Sequence, residues 1–181
     1  MGKIAVQTPL TSEVARVLQA GDRVMISGVI YAARDAVHKK LIELLQAGEQ
    51  LPFGLAGQVI YYAGPCPAKP GQAVGSVGPT TSGRMDAYTP ALLELGLKGM
   101  IGKGRRDEAV VKAMVKHGAV YFAAIGGAGA LLAAAVKEAA VIAFPELGAE
   151  ALFRFTVEDF PAIVAIDSRG NDLYEKAMHN S

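Results

Sequence analysis

The chain has 181 residues, of which 51% are apolar and 19% are charged, and its formal net charge is +1. This length and composition suit one domain with a buried core and are not those of a disordered protein, so we expect a single domain over residues 1–181. The balanced charge and the lack of tryptophan or of a basic tract argue against nucleic acid as a partner.

The first third of the chain alternates strand-like and helix-like segments. The predicted elements are a strand in residues 3–10, a short helix from Thr11 or Ser12 to Gly21, a strand at 23–27, a helix at 33–47 and a strand at 58–63. Residues 64–83 are rich in glycine, proline, serine and threonine and show little periodicity. A loop of this length inside a compact domain is unusual, and such loops tend to carry function.

The rest of the chain continues the alternation, which predicts an α/β fold. The predicted elements are a helix with Thr89 as N-cap and Pro90 in its first turn, a strand at 97–102, a helix at 107–116, a strand at 119–125, a glycine turn at 126–129, a buried helix at 130–140, a strand at 162–166 and a helix at 171–178. The uncharged run at 119–136 approaches the length of a membrane span, but the glycines in its middle favour a strand, a turn and a buried helix.

Side chains that bind metals are scarce in this sequence. The single cysteine, Cys66, excludes an internal disulfide and cannot alone hold an iron–sulfur cluster, which needs several thiolates. The histidines His38, His117 and His179 lack metal-ligand spacing, so we expect no metal site in this chain. No positively charged segment followed by an apolar stretch opens the sequence, which predicts a cytoplasmic protein.

Two segments place an arginine where it could bind an anion. Arg34 and His38 are four residues apart at the start of a predicted helix and would share one face, although a solvated helix start is the alternative. Residues 78–86 (GPTTSGRMD) combine adjacent hydroxyls with Arg84. Hydroxyls, backbone N–H groups and a guanidinium fork together fit a carboxylate or phosphate, and an ordinary turn with Thr81 or Ser82 as a helix cap is the alternative.

A third segment places Lys103 between Gly102 and Gly104 at the end of a predicted strand. A lysine in this setting could reach an anion without steric hindrance, or it could lie in a solvated turn; no phosphate-binding loop frame surrounds it. The glycine cluster at 126–129 also lacks the frame of a dinucleotide-binding loop. The residues alone therefore predict an anion-binding domain without a complete catalytic set.

The anion-binding segments also carry a family resemblance. Residues 78–86, followed by YTPALLELG at 88–96 and KGMIGKG at 98–104, resemble the β subunit of class I fumarases and L-tartrate dehydratases. Residues 21–28 (GDRVMISG), 33–38 (ARDAVH) and 64–67 (GPCP) resemble the same family, so the match runs through the whole chain in order. The resemblance implies a swivelling β/β/α domain that closes over a dicarboxylate such as fumarate, malate or tartrate.

The resemblance also assigns roles to individual residues. It implies that the substrate is bound by Arg34, Thr80, Thr81, Arg84 and Lys103. Thr80 would act as the catalytic base at the reacting carbon, and Thr81 would also help to hold the loop. Asp86 would position Arg84, and His38 would hold the substrate-binding residues in place without touching the substrate. Cys66 would be a small buried turn residue and not a cluster ligand.

The function implied by the resemblance is the reversible hydration of fumarate to L-malate, together with an α subunit that carries a [4Fe–4S] cluster. In that family an iron of the cluster acts as a Lewis acid on the substrate, and the assembly would be a dimer of αβ units in the cytoplasm, without a membrane or nucleic-acid partner. The alternatives are a β subunit of L-tartrate dehydratase or of a methylfumarate hydratase, and a non-catalytic anion-binding module.

Overall fold

Two long antiparallel strands organise the fold of the computed structural model, which describes residues 2–125 and 129–179. The strands are β1 (Ile4–Gln7), β2 (Arg23–Ala32), β3 (Val59–Tyr61), β4 (Gly99–Gly102), β5 (Val120–Ala124), β6 (Val136–Ala143) and β7 (Leu152–Ile166). The helices are α1 (Ser12–Val17), α2 (Asp35–Gln46), α3 (Thr89–Glu94), α4 (Glu108–His117), α5 (Gly129–Ala133) and α6 (Leu173–His179). Two 3₁₀ segments cover Ser82–Met85 and Pro145–Glu150.

The strands close into a five-stranded barrel. Strand β7 pairs antiparallel with β2 along its length, from Arg23 opposite Ile163 to Ala32 opposite Phe153. Strands β3, β4 and β5 follow β2 in parallel, and β5 pairs antiparallel with β7, so the ring β2-β3-β4-β5-β7 has no free edge. The additional strand β1 pairs in parallel with the first part of β2, and β6 pairs antiparallel with the first part of β7.

Alternate residues of the strands pack into two cores. On β5, Phe122 packs with the aliphatic and aromatic residues of one cluster, whereas the adjacent Tyr121 packs with residues of α2, α3 and α4 in the other. At the end of β3, Tyr61 likewise packs in the first cluster and the adjacent Tyr62 in the second. This two-residue period shows that both faces of the barrel strands are covered, as expected for parallel strands joined by helices.

The direction of the strands places the predicted site. Because β2, β3, β4 and β5 are parallel, their carboxyl ends lie at one rim of the barrel. Arg34 follows β2, residues 64–81 follow β3 and Lys103 follows β4, so all three predicted segments start from this rim. Ligands of α/β folds commonly bind beyond the carboxyl ends of parallel strands.

The predicted buried helix at 130–140 is wrong in its second half. Helix α5 ends at Ala133, and residues 136–143 form β6, which pairs with the first part of β7. The helix propensity of alanine is a local preference of a few tenths of a kcal/mol per residue, and the ladder with β7 outweighs it. The predicted turn at 126–129 lies outside the described residues except for Gly129, and within the described ranges no helix is long and apolar enough to cross a membrane.

The helix expected at Thr89 forms, but Thr89 is not its N-cap. Tyr88 occupies that position, and the Thr89 hydroxyl donates a hydrogen bond to the carbonyl of Met85, 2.8 Å away. Met85 ends the 3₁₀ segment, and the three-residue turn that follows brings its carbonyl within reach of Thr89, so the hydroxyl bonds backward along the chain instead of capping the helix.

Candidate functional site

Backbone hydrogen bonds join the three cation-bearing segments at the carboxyl rim of the barrel. The bonds run from Ala33 N to Tyr61 O (2.9 Å), from Thr80 N to Tyr62 O (2.6 Å) and from Ser82 N to Lys103 O (2.9 Å). Thr81 and Lys103 also form an isolated parallel bridge. The end of the 64–81 loop therefore continues the sheet pattern between the ends of β3 and β4.

The side chains of the candidate site differ in exposure. Thr81, Arg84 and Lys103 are exposed, whereas Arg34 and Thr80 are half-buried. Within the described ranges no carboxylate lies at ion-pair distance from Arg84 or Lys103. Two cations without a counterion, carried by segments whose backbones are bonded to each other, favour the binding of anions at this rim.

Arg34 is held in a narrow space between two chain segments. A Cβ atom on Gly64 would lie 3.2 Å from the Cδ of Arg34 and 2.7 Å from the carbonyl oxygen of Ala149. Only glycine therefore fits at position 64, between Arg34 and the 149–150 segment. The Nε of Arg34 lies 3.3 Å from Glu150 Oε1 and 3.8 Å from Asp35 Oδ1, without hydrogen-bond alignment to either. Its charge is therefore partly balanced before any ligand arrives.

His38 does not share an exposed face with Arg34, and a solvated helix start is also wrong for it. Its side chain is fully buried, and its Nδ1 lies 2.8 Å from the carbonyl oxygen of Arg34. Because a carbonyl only accepts, Nδ1 carries the proton and Nε2 does not. Burial lowers the pKa of His38 to about 4, and the Arg106 charge acts in the same direction, so His38 is a neutral support beneath Arg34.

Asp86 was expected to position Arg84, but its carboxylate binds other groups. Oδ1 accepts a hydrogen bond from the Nε of Arg106 at 2.7 Å, and Oδ2 accepts one from the backbone N–H of Asp107 at 3.0 Å. Arg84 is exposed and can be solvated by water, whereas Arg106 is buried and needs a carboxylate to compensate its lost hydration.

Sequence reasoning assigned no role to Arg106 and the tyrosines that enclose it. The guanidinium carbon lies 5.1 Å from the ring centre of Tyr62 and 4.9 Å from that of Tyr121, and NH2 donates to the Thr89 hydroxyl at 2.9 Å. An arginine one residue before the N-cap Asp107 was visible in the sequence. The two rings come from the end of β3 and from β5, which are far apart in the chain, so their contact with Arg106 could not be predicted from the sequence.

Tyr121 connects the loops on either side of the site. Its hydroxyl donates to the carbonyl of Gly104 at 2.8 Å and lies 2.7 Å from the Ser82 hydroxyl, which is therefore the donor in that pair. Burial raises the pKa of Tyr121, so the phenol keeps the proton that this arrangement requires. The Gly104 N–H in turn donates to the Tyr174 hydroxyl at 3.2 Å.

Cys66 is exposed, which contradicts the expectation of a buried turn residue. The backbone of Cys66 pairs with Gly75 and Ser76 within loop 64–81. In the described part of the chain no group of three or more His, Cys, Asp or Glu side chains is arranged to hold a metal ion. One exposed thiol does not fit an iron–sulfur cluster.

Comparison with known proteins identifies relatives along nearly the whole chain. Residues 1–177 match the family model described as the fumarase C-terminus. Over 181 residues the chain is 40% identical to the anaerobic class I fumarate hydratase of Escherichia coli (strain K12), covering 98% of this chain and 33% of that protein. It is 44% identical over 160 residues to fumarate hydratase 2 of Leishmania major, covering 87% of this chain and 28% of that protein.

A further relative has a length similar to that of this chain. The putative L(+)-tartrate dehydratase subunit beta of Methanocaldococcus jannaschii is 42% identical over 173 residues, which cover 92% of this chain and 89% of that protein. By contrast, the chain spans about a third of the length of the fumarate hydratases that it matches.

Gly102→Ala should displace the loop that carries the site. The new Cβ would overlap the Ser82 Oγ and lie 2.8 Å from Cδ2 of Tyr62. We expect the free energy of unfolding to fall by about 1–3 kcal/mol, as overpacking usually costs, with the largest amide shift changes at Ser82 and Lys103. Gly54→Ala is the control, because nothing lies within 4 Å of its Cβ position. Equal effects of the two substitutions in urea unfolding would contradict the packing described.

His38 should make stability depend on pH below neutrality. Its pKa is about 4 in the folded chain against 6.5 when unfolded, so between these values only the unfolded state binds the proton. Stability is therefore lost as pH falls, by about 2 kcal/mol between pH 7 and pH 5. His38→Asn keeps an N–H donor and removes the titration, so its unfolding free energy should change less over this range. Parallel pH curves for both proteins would contradict a buried neutral His38.

Proposed function

The chain belongs to the fumarase C-terminal family, and on that premise we propose that it is the β subunit of a class I fumarate hydratase. In this proposal the subunit acts as a swivelling domain and is active only with an α subunit, in the reversible hydration of fumarate to L-malate. The observation that supports the proposal most is the junction of the Arg34, Thr80–Arg84 and Lys103 segments at one rim of the barrel.

Binding of the substrate is assigned to the cations of this rim. A dicarboxylate carries two negative charges, and removal of a proton next to one carboxylate adds further negative charge in the transition state. Arg34, Arg84 and Lys103 would compensate this charge, since one pair of unit charges at 4 Å is worth about 4 kcal/mol at an effective dielectric constant near 20. The exposure of Arg84 and Lys103 fits a site that a partner subunit covers, because exclusion of water strengthens such interactions.

Proton transfer is assigned to the hydroxyl of Thr80. The backbone of Thr80 is fixed by its bond to Tyr62 O, while no hydrogen-bond partner of its hydroxyl is found in the described ranges. The hydroxyl can therefore turn toward a substrate carbon. A threonine hydroxyl is a weak base, so its deprotonated form would depend on the neighbouring cations. Thr81, which bridges to Lys103, would bind the substrate beside it.

The [4Fe–4S] cluster of the proposed enzyme is assigned to the α subunit, since the side chains described here do not fit one. The cluster would supply Lewis-acid chemistry at the substrate hydroxyl.

We propose a dimer of αβ units in the cytoplasm as the assembly. The similarity to a protein named as a tartrate dehydratase subunit beta supports both an α partner and a second candidate, the dehydration of L-tartrate. Methylfumarate hydration and a non-catalytic anion-binding module are the remaining alternatives.

Reconstitution of the complex tests the proposal that the cluster belongs to the α subunit and that this chain is inactive alone. The chain alone should be colourless and inactive, because its one cysteine cannot hold a cluster. Fumarate hydration should appear when it is combined with a partner that carries a reconstituted cluster. Malate, L-tartrate and methylmalate are compared as substrates, and the highest kcat/KM identifies the reaction. Turnover by the chain alone would contradict the proposal, and so would an assembled complex that turns over none of these substrates.

Thr80→Val should reduce the rate of proton transfer in the assembled enzyme. Valine keeps the branched shape and removes the hydroxyl, so kcat should fall by about 10²–10⁴-fold, the usual contribution of an acid–base group. KM should change little because the cations remain. Steady-state kinetics in both directions and exchange of the malate C3 proton with solvent measure the effect.

Thr81→Val serves as the comparison for this prediction, and we expect a smaller loss that acts through loop geometry. If Thr80→Val exchanged the C3 proton at the parent rate, the base would have to come from the partner subunit.

A further inference from the structure

We propose that Arg106 is a positioning residue that sets the distance between the two exposed cations of the site, Arg84 and Lys103. The inference rests on the proposed function, in which both cations bind a dicarboxylate. Arg106 is buried and does not itself contact the substrate in this account. It would act through the two segments on which the cations are carried.

Both cation-bearing segments end at the same buried ion pair. Arg84 lies in the 3₁₀ segment Ser82–Met85, and Asp86 follows that segment directly. Arg106 is the third residue after Lys103. The bond from Arg106 Nε to Asp86 Oδ1 therefore joins the end of one segment to the end of the other at 2.7 Å.

The Asp86 carboxylate makes this junction two-sided. Its second oxygen accepts the backbone N–H of Asp107 at 3.0 Å, so the carboxylate binds both a side chain and a main-chain group of the Lys103 segment. Rotation of the carboxylate would break one of these bonds. The backbone that follows Arg84 is thus fixed in two directions relative to the backbone that follows Lys103.

The guanidinium that makes this contact is itself held rigidly. The ring centres of Tyr62 and Tyr121 lie 5.1 and 4.9 Å from its central carbon, and NH2 donates to Thr89 Oγ1 at 2.9 Å. The Arg106 side chain is 0% exposed. These two rings and the separate acceptors fix one orientation of the planar guanidinium, which a lysine cannot reproduce.

A second junction lies on the other side of Arg84. Ser82 N donates to Lys103 O, and the Ser82 hydroxyl reaches the Tyr121 hydroxyl that also binds Gly104 O. Tyr121 belongs to both junctions, because the Arg106 guanidinium lies over its ring. The segment carrying Arg84 is therefore attached before and after that residue, whereas Thr80 is anchored independently to Tyr62 O.

This geometry predicts a change in binding more than in chemistry. Arg106→Lys keeps the charge but loses the planar guanidinium and its separate hydrogen bonds to Asp86 and Thr89. With the carboxylate contacts of Arg84 and Lys103 misplaced, KM for malate should rise about ten- to a hundredfold. The value of kcat should fall by a smaller factor than KM rises, because the same cations also balance charge in the transition state. Arg105→Lys is the matched control on the exposed neighbour and should leave both constants unchanged. Arg84→Lys, which alters a proposed substrate ligand directly, is the reference for lost binding.

A second measurement does not depend on activity. Hydrogen exchange in the full chain should show the amides of Ser82 and Asp107 exchanging at least about tenfold faster in Arg106→Lys, with those of β2 and β7 unchanged. A merely structural role would accelerate exchange in β2 and β7 as well. If Arg106→Lys does not fold, Asp86→Asn replaces it, because it removes the negative charge that Arg106 binds. This variant should show the same local increase in exchange, with a smaller magnitude.

The outcomes separate this inference from the proposed function. An active parent with an impaired Arg84→Lys variant and an Arg106→Lys KM within about twofold of the parent would overturn the positioning role alone. Exchange that rises equally in β2 and β7 would also overturn it. If the parent shows no dicarboxylate turnover with its partner, the proposed function fails, and the local exchange at Ser82 and Asp107 then decides whether Arg106 couples the two segments.

Discussion

The antiparallel pairing of β2 with β7 is the constraint on which the rest of the structure depends. It closes the barrel, and closure fixes the parallel strands β2 to β5 with their carboxyl ends at one rim. Chain segments that are far apart in sequence then leave the sheet side by side. The strand order therefore brings the Arg34, Thr80–Arg84 and Lys103 segments of the candidate site to one rim.

Beneath this exposed rim lies a layer of buried polar groups. His38 supports the backbone of Arg34, Arg106 joins Asp86 to the Lys103 segment, and Tyr121 joins Ser82 to Gly104. Buried polar groups are costly unless they are bonded, and the hydrogen bonds of Arg106, Asp86, Ser82 and Tyr121 therefore favour one arrangement of the loops above them. The rim can present the exposed cations Arg84 and Lys103 to solvent because hydrogen bonds beneath them hold the backbone that carries them.

Part of this arrangement could be predicted from the sequence. The alternation of strands and helices gave the α/β class, and the residues of the 78–104 region pointed to the family that the comparisons identify. Strand β6 was missed because its alanine-rich residues become a strand only by pairing with β7. The partners of Asp86 and the burial of His38 were missed because both depend on aromatic rings from distant segments. The roles of Thr80, Arg34, Arg84 and Lys103 stay predictions.

The central claim is that the barrel rim binds the carboxylates of the substrate. A crystal structure of the assembled αβ protein with malate tests it most directly. The account predicts guanidinium and ammonium nitrogens of Arg34, Arg84 and Lys103 within hydrogen-bond distance of the malate carboxylates, and the Thr80 hydroxyl beside C3. Malate bound entirely by residues of the partner, with these three cations still in solvent, would contradict it.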